Sequence, residues 1–85
     1  MKEFTYKIQD EIGIHARPAG LLVKKAGEFQ SDIKLIKGDK EADAKKIFAV
    51  MGLGVKKDET IRVQVSGIDE DRATEEIEKF FGDNL

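Results

Sequence analysis

The chain has 85 residues, 40% of them apolar and 38% charged, and we expect it to form a single domain spanning residues 1–85. It contains no cysteine and one histidine, which excludes disulfides, thiolate nucleophiles and metal sites built from several histidines. The net charge of −2 argues against nucleic-acid binding through bulk charge, and no apolar run is long enough for an export signal or a membrane span. We therefore expect a cytoplasmic protein that needs no cofactor or metal.

Charge is unevenly distributed along the chain. Residues 1–28 and 29–57 carry net charges of +1 and +3, whereas residues 58–85 carry −6. The basic front part is therefore expected to face an acidic partner.

A strand and a helix are predicted in the first 27 residues. Phe4, Tyr6 and Ile8 alternate with polar residues, which predicts a half-buried strand. From Ala16 onward the apolar spacing becomes helical, and Gly27 is expected to end that helix. Its predicted inner face consists of Ala19, Leu22, Val23 and Ala26.

The middle of the chain predicts a hairpin followed by an ambiguous segment. Residues 33–36 are β-branched and apolar enough for a second strand, and Gly38 suits a tight turn into a third strand over residues 41–44. The run from Ile47 to Met51 fits either a strand or a short helix, closed by two glycines.

The last third predicts one more strand and one more helix. Residues 60–66 alternate apolar and polar side chains, and Asp69 is expected to cap the N-terminus of a final helix. The predicted buried stripe of that helix consists of Ala73, Ile77, Phe80 and Phe81. The order βαββ(α)βα favours an α+β fold with one antiparallel sheet and helices on a single face.

The loop before the first helix carries the most informative residues. Pro18 suits the first turn of a helix, so His15 is expected at or near the N-cap, where free N–H groups favour an anion. A neutral imidazole is a competent nucleophile, and the Arg17 guanidinium is well shaped to bind phosphate oxygens. These residues predict a covalently held phosphoryl group. The alternative is that His15 merely ends a loop and Arg17 is a solvated charge.

Two segments resemble the signatures of a known family. The stretch from Gly13 to Ala19, Gly-Ile-His-Ala-Arg-Pro-Ala, is similar to the active-site signature of HPr, the histidine-containing phosphocarrier of the bacterial phosphoenolpyruvate-dependent sugar phosphotransferase system. The stretch from Ile47 to Gly54 is similar to the family's second signature. Length and element order agree as well, so the resemblance spans essentially the whole chain.

The resemblance implies a fold and a role. The fold would be an open-faced β-sandwich of four antiparallel strands with three helices on one side, the Ile47 segment being the short middle helix. His15 would accept a phosphoryl group on Nδ1 from phosphorylated Enzyme I and pass it to IIA domains of sugar permeases. Arg17 would steady that group, and the backbone of Ala16 and Arg17 would bind its oxygens.

The resemblance also implies a partner surface beside the histidine. Its expected members are Gly20, Leu21, Lys24, Ile47, Phe48 and Met51. Alternatively, Ile47, Phe48 and Met51 are ordinary core residues and Lys24 is a solvated lysine. The protein would act as a stoichiometric carrier rather than an enzyme, as a monomer, and without inserting into the membrane.

One departure from the family pattern concerns regulation. The family's regulatory serine corresponds here to Lys46, which removes the hydroxyl that an HPr kinase would phosphorylate. Together with Lys45 it is expected to form a basic pair beside the apolar patch.

Two other functions remain open. The domain could serve a nitrogen-type regulatory phosphorelay or a dihydroxyacetone kinase system, using the same two site residues. It could also be a small α+β binding domain in which His15 is incidental. A hydrolase is poorly supported, because no acid–base constellation surrounds the histidine.

Overall fold

The elements follow one another in the order βαββαβα. The computed structural model describes residues 1–85, and the segment that could have been a strand or a helix is a helix. The strands are β1 (Lys2–Lys7), β2 (Asp32–Lys37), β3 (Lys40–Asp43) and β4 (Thr60–Ser66); the helices are α1 (Ala16–Ala26), α2 (Ile47–Gly52) and α3 (Glu70–Asn84). None of the three helices is long and apolar enough to cross a membrane.

The four strands form one antiparallel sheet in the order β1-β4-β2-β3. Side chains alternate across it, so β4 turns Ile61, Val63 and Val65 toward the helices and leaves Arg62 exposed on the other face. This arrangement confirms the predicted α+β class and the open-faced sheet. Burying these alternate residues against the helices removes apolar surface from water, which is the main favourable term in folding.

Helix α3 supplies the aromatic part of the core. Phe81 is fully buried, stacks on Tyr6 with ring centroids 5.5 Å apart, and meets Phe4 edge-on at 5.9 Å. Phe80, predicted in the buried stripe, packs against the core but is only half-buried, and its ring touches Phe81 from the side. Ala73, Ile77 and Phe81 recur every four residues and form the inner line, which leaves Phe80 at its margin.

Asp69 occupies the predicted N-cap position of α3, but its side chain does not cap that helix. Its carboxylate instead accepts the backbone N–H groups of Gln30 and Ser31, both at 2.9 Å, and the hydroxyl of Ser31. Ser31 is fully buried, so this carboxylate satisfies the polar groups of a residue that has no access to water. The contact ties the start of β2 to the start of α3.

This cluster predicts an acid-dependent contribution to stability. The Ser31 hydroxyl and the Gln30 N–H hold the pKa of Asp69 below its ordinary value. A carboxyl with a depressed folded-state pKa stabilises the fold above its unfolded-state pKa, and this contribution is lost as the pH falls through the folded-state pKa. We expect Asp69→Asn to be less stable than the unmodified protein at neutral pH, with the difference shrinking toward acid.

Urea unfolding across a pH series measures this difference. The matched control is Asp71→Asn, because Asp71 is 80% exposed and makes one surface ion pair, at 3.2 Å, with Lys2. A constant difference between Asp69→Asn and the unmodified protein at every pH would contradict the prediction.

Candidate functional site

The loop from β1 to α1 is held against the segment that follows α2. The N–H of Ile14 donates to the backbone oxygen of Val55 at 3.0 Å. Gly13 has a φ of +81°, and a Cβ at that position would lie 2.3 Å from the same Val55 oxygen. Only glycine fits such a close approach in this conformation, which explains the glycine two residues before His15.

His15 occupies the N-cap position of α1, as predicted. Its backbone is extended, with φ −114° and ψ −170°, and its backbone oxygen accepts the N–H of Ala19 at 2.9 Å. The imidazole makes no capping hydrogen bond and is half-exposed. The first N–H groups of α1, those of Ala16 and Arg17, have no carbonyl partner within the helix and remain available to an anion.

Arg17 is exposed and forms no ion pair, so its guanidinium is free to bind an anion. It lines a depression of about 250 Å³ together with His15. The other lining residues are Asp10, Pro18, Leu21, Asp83 and Asn84. A larger depression of about 390 Å³ lies by the sheet and contains neither His15 nor Arg17.

Sequence reasoning missed one wall of this depression. Asp83 and Asn84 come from the last turn of α3, and the Asp83 carboxylate pairs with Lys79 at 3.0 Å. The backbone oxygen of Leu85 accepts the N–H groups of Gln9 and Asp10, at 2.6 and 2.8 Å, which holds the end of α3 against the loop before His15. Local spacing carries no signal for a contact between such distant parts of the chain.

Exposed apolar side chains lie on α1 and α2. Phe48 is 84% exposed, Leu21 42% and Met51 37%. Ile47 is half-buried, and its Cδ1 would lie 3.7 Å from a Cβ at Gly20, so α2 packs on α1 where α1 has no side chain. Lys24 is exposed on the next turn of α1.

Lys45 and Lys46 do not form the expected basic pair. The Lys45 side chain is half-buried and its ammonium donates to the backbone oxygen of Phe29 at 2.8 Å, so its charge is not free at the surface. Lys46 stands at the N-cap of α2, is exposed and makes no ion pair. One outward-facing positive charge therefore lies at the position where a serine was expected from the resemblance.

Comparison with known proteins now identifies the family. A family model described as the PTS HPr component phosphorylation site matches residues 2–83. The chain belongs to the HPr family. The family model and the curated relatives name this family as the phosphocarrier proteins of the phosphotransferase system.

Individual relatives agree with this assignment. The phosphocarrier protein HPr of Mycoplasma capricolum is 38% identical over 79 residues, which cover 93% of this chain and 89% of the relative. A solved histidine-containing phosphocarrier protein of Mycoplasma superposes with a TM-score of 0.93 at 36% identity, covering 96% of this chain and 93% of that one.

A second solved structure is described as a dimer. It is the HPr dimer of Thermoanaerobacter tengcongensis, with a TM-score of 0.77 at 36% identity, covering 98% of this chain and 95% of that one. The expectation of a monomer is therefore not confirmed by the comparisons.

Proposed function

We propose that this protein accepts a phosphoryl group on Nδ1 of His15 from phosphorylated Enzyme I and passes it to IIA domains of sugar permeases. It acts as a stoichiometric carrier rather than as an enzyme, since each molecule holds one group and turns over no substrate by itself. The observation that carries the proposal is the half-exposed imidazole at the N-terminus of α1 beside the unpaired Arg17.

The chemistry follows from this placement. The neutral imidazole of His15 uses the lone pair on Nδ1 to attack the phosphorus atom, and the bond from phosphorus to the donor atom of Enzyme I breaks. The negative charge of the phosphoryl oxygens is met by the first N–H groups of α1 and by the Arg17 guanidinium. Transfer to a IIA domain is the same displacement with phospho-His15 as the donor.

The proposed partner surface consists of exposed residues on α1 and α2. Phe48 supplies an aromatic anchor, Leu21 and Met51 extend the apolar area, and Ile47 against Gly20 fixes the angle between the helices. Lys24 adds a positive charge that suits an acidic partner.

Phe48→Ala is predicted to weaken binding to Enzyme I or to a IIA domain by about 1–2 kcal/mol. The thermal midpoint should barely move, because the Phe48 ring is 84% exposed and contributes little to the core. Titration calorimetry and thermal unfolding of the same samples measure both quantities.

Ile68→Ala is the matched control, because Ile68 is 89% exposed and lies between β4 and α3 rather than on α1 or α2. It should bind as the unmodified protein does. A lowered thermal midpoint with unchanged affinity in Phe48→Ala would instead assign Phe48 to the core.

Because position 46 is a lysine and has no hydroxyl, we predict that this protein is not regulated by ATP-dependent phosphorylation at this position. Phosphoserine would bring about −1.5 to −2 charges next to the docking residues, whereas lysine keeps +1 there. With a bifunctional HPr kinase and ATP, the unmodified protein should stay unmodified and Lys46→Ser should gain a phosphoryl group. Robust phosphorylation of the unmodified protein would refute this, and mass spectrometry distinguishes the two results.

The test of the proposed function is incubation with Enzyme I and phosphoenolpyruvate, followed by intact-mass measurement. A mass increase of one phosphoryl group supports it, and no increase would favour the small binding domain in which His15 is incidental. Onward transfer to a sugar-specific IIA domain, compared with IIA-type partners of nitrogen-type and dihydroxyacetone kinase systems, decides between sugar uptake and those two alternatives.

The working state is proposed to be a cytoplasmic monomer. Light scattering at several protein concentrations tests this state. A mass of two chains at every concentration would overturn it.

A further inference from the structure

Lys37, at the end of β2, has its ammonium group surrounded by three acceptors. Its Nζ lies 3.0 Å from the backbone oxygen of Gly54, 3.3 Å from that of Leu53 and 3.2 Å from the Glu59 carboxylate. The ammonium group therefore donates two hydrogen bonds to backbone oxygens and forms one ion pair. The side chain is only 26% exposed, which makes this contact less screened than a surface ion pair.

The three acceptors belong to the segment that follows α2. Leu53 and Gly54 come directly after the helix, where unpaired carbonyl groups favour a positive charge. The Glu59 carboxylate also accepts the N–H of Lys56 at 2.7 Å, and these two lysines hold the pKa of Glu59 below its ordinary value. Lys37 therefore ties the start of segment 53–59 to the end of β2 and also pairs with Glu59 at the other end of that segment.

The same segment also supports the loop before His15. Val55 lies one residue after Gly54, and its backbone oxygen accepts the N–H of Ile14. Helix α2, which carries Phe48, has only six residues and no side-chain cap at its N-terminus. A helix this short depends on tertiary contacts to keep its position.

We propose that Lys37 is a positioning residue for phosphotransfer, one that fixes the docking surface on α2 relative to His15. The inference rests on the proposed function and adds a residue remote from both signature segments. Lys37 touches the end of α2 directly and reaches the His15 loop only through Val55. Losing it therefore weakens the recognition of Enzyme I more than the chemical step.

Lys37→Met keeps most of the stem and removes the charge and the three donors. The KM of the carrier in phosphotransfer from Enzyme I should rise about fivefold while kcat stays within about twofold, a size typical of substitutions that act through a packed network. Lys37→Arg retains donors and charge and should restore most of the KM. Lys34→Met, on the same strand with a 3.5 Å surface ion pair to Glu41, is the matched control and should leave KM unchanged.

Glu59→Ala separates positioning from direct attraction to an acidic partner. Removing a negative charge would lower the KM if Lys37 simply attracted Enzyme I, whereas the loss of its anchor should raise the KM if Lys37 positions α2. A lowered KM in Glu59→Ala, an unchanged KM in Lys37→Met, or an equal rise in Lys34→Met would each overturn the proposal.

Amide hydrogen exchange gives a readout that needs no partner. The Ile14 N–H should exchange faster in Lys37→Met, measured where every variant is fully folded, while the N–H of Val63 in the central strand should keep its rate. An unchanged rate at Ile14, or equal acceleration at both sites, would refute the positioning role. The two experiments fail independently. If the unmodified protein accepts no phosphoryl group in the Enzyme I assay, the proposed function is refuted, but the exchange rate at Ile14 still decides whether Lys37 holds the loop.

Discussion

His15→Ala is expected to accept no phosphoryl group from Enzyme I and phosphoenolpyruvate. His15 is the only histidine, so the substitution removes the only imidazole that could attack phosphorus. The fold should persist, because the imidazole is half-exposed and makes no capping hydrogen bond. Intact mass and circular dichroism of the same sample measure both effects.

Arg17→Ala provides the comparison for this loss. We expect this variant to be phosphorylated to the same final extent but at a lower rate, because the guanidinium stabilises the charge of the phosphoryl group and does not form the bond to phosphorus. Phosphoenolpyruvate-dependent modification that survives in His15→Ala would overturn the assignment of the acceptor. Unchanged transfer rates in Arg17→Ala would show that this guanidinium does not act on the phosphoryl group.

Gly13→Ala is expected to lower the free energy of unfolding by about 2–5 kcal/mol, which combines a positive φ with overpacking. The added Cβ would lie 2.3 Å from the backbone oxygen of Val55 and 2.7 Å from the Cα of Lys56, and backbone atoms cannot move aside cheaply. The loop must then shift, so phosphorylation of His15 should also slow. Urea unfolding and transfer kinetics measure the two consequences.

Gly38→Ala isolates the conformational part of that cost. Gly38 also has a positive φ, +60°, but a Cβ there meets no atom within 4 Å. We expect a loss of only about 1–2 kcal/mol and normal phosphotransfer. Equal losses in the two variants would mean that the contact with Val55 has no energetic weight.

The elements with a clear period were predictable from the sequence. The alternation in Thr60–Ser66 and the helical spacing after Ala16 each match one structural template, and the structure confirms both. Five consecutive apolar residues from Ile47 have no period, so strand and helix remained equally possible. Tertiary packing makes this segment a helix that buries Val50 and leaves Phe48 exposed, whereas a central strand would bury both faces.

Polar partners were predictable only within a few residues. Asp69 was expected to cap α3, and it binds Gln30 and Ser31 instead. Lys45 was expected to form a basic pair with Lys46, and its ammonium donates instead to the backbone oxygen of Phe29. Local rules predict the hydrogen bond that a side chain forms within its own helix or strand. A partly buried polar group from another part of the fold can bind the same side chain instead, because leaving that group without a partner costs free energy.

The sequence by itself determined the order of the elements and the placement of His15 and Arg17 at a helix N-terminus, because the hydrophobic period and Pro18 act over neighbouring residues. Only the tertiary structure decided that the end of α3 forms a wall of the site and that Lys37 holds the segment after α2. Those contacts join residues far apart in the chain. They depend on how the helices pack against the sheet when apolar surface is buried, and no local sequence pattern specifies that packing.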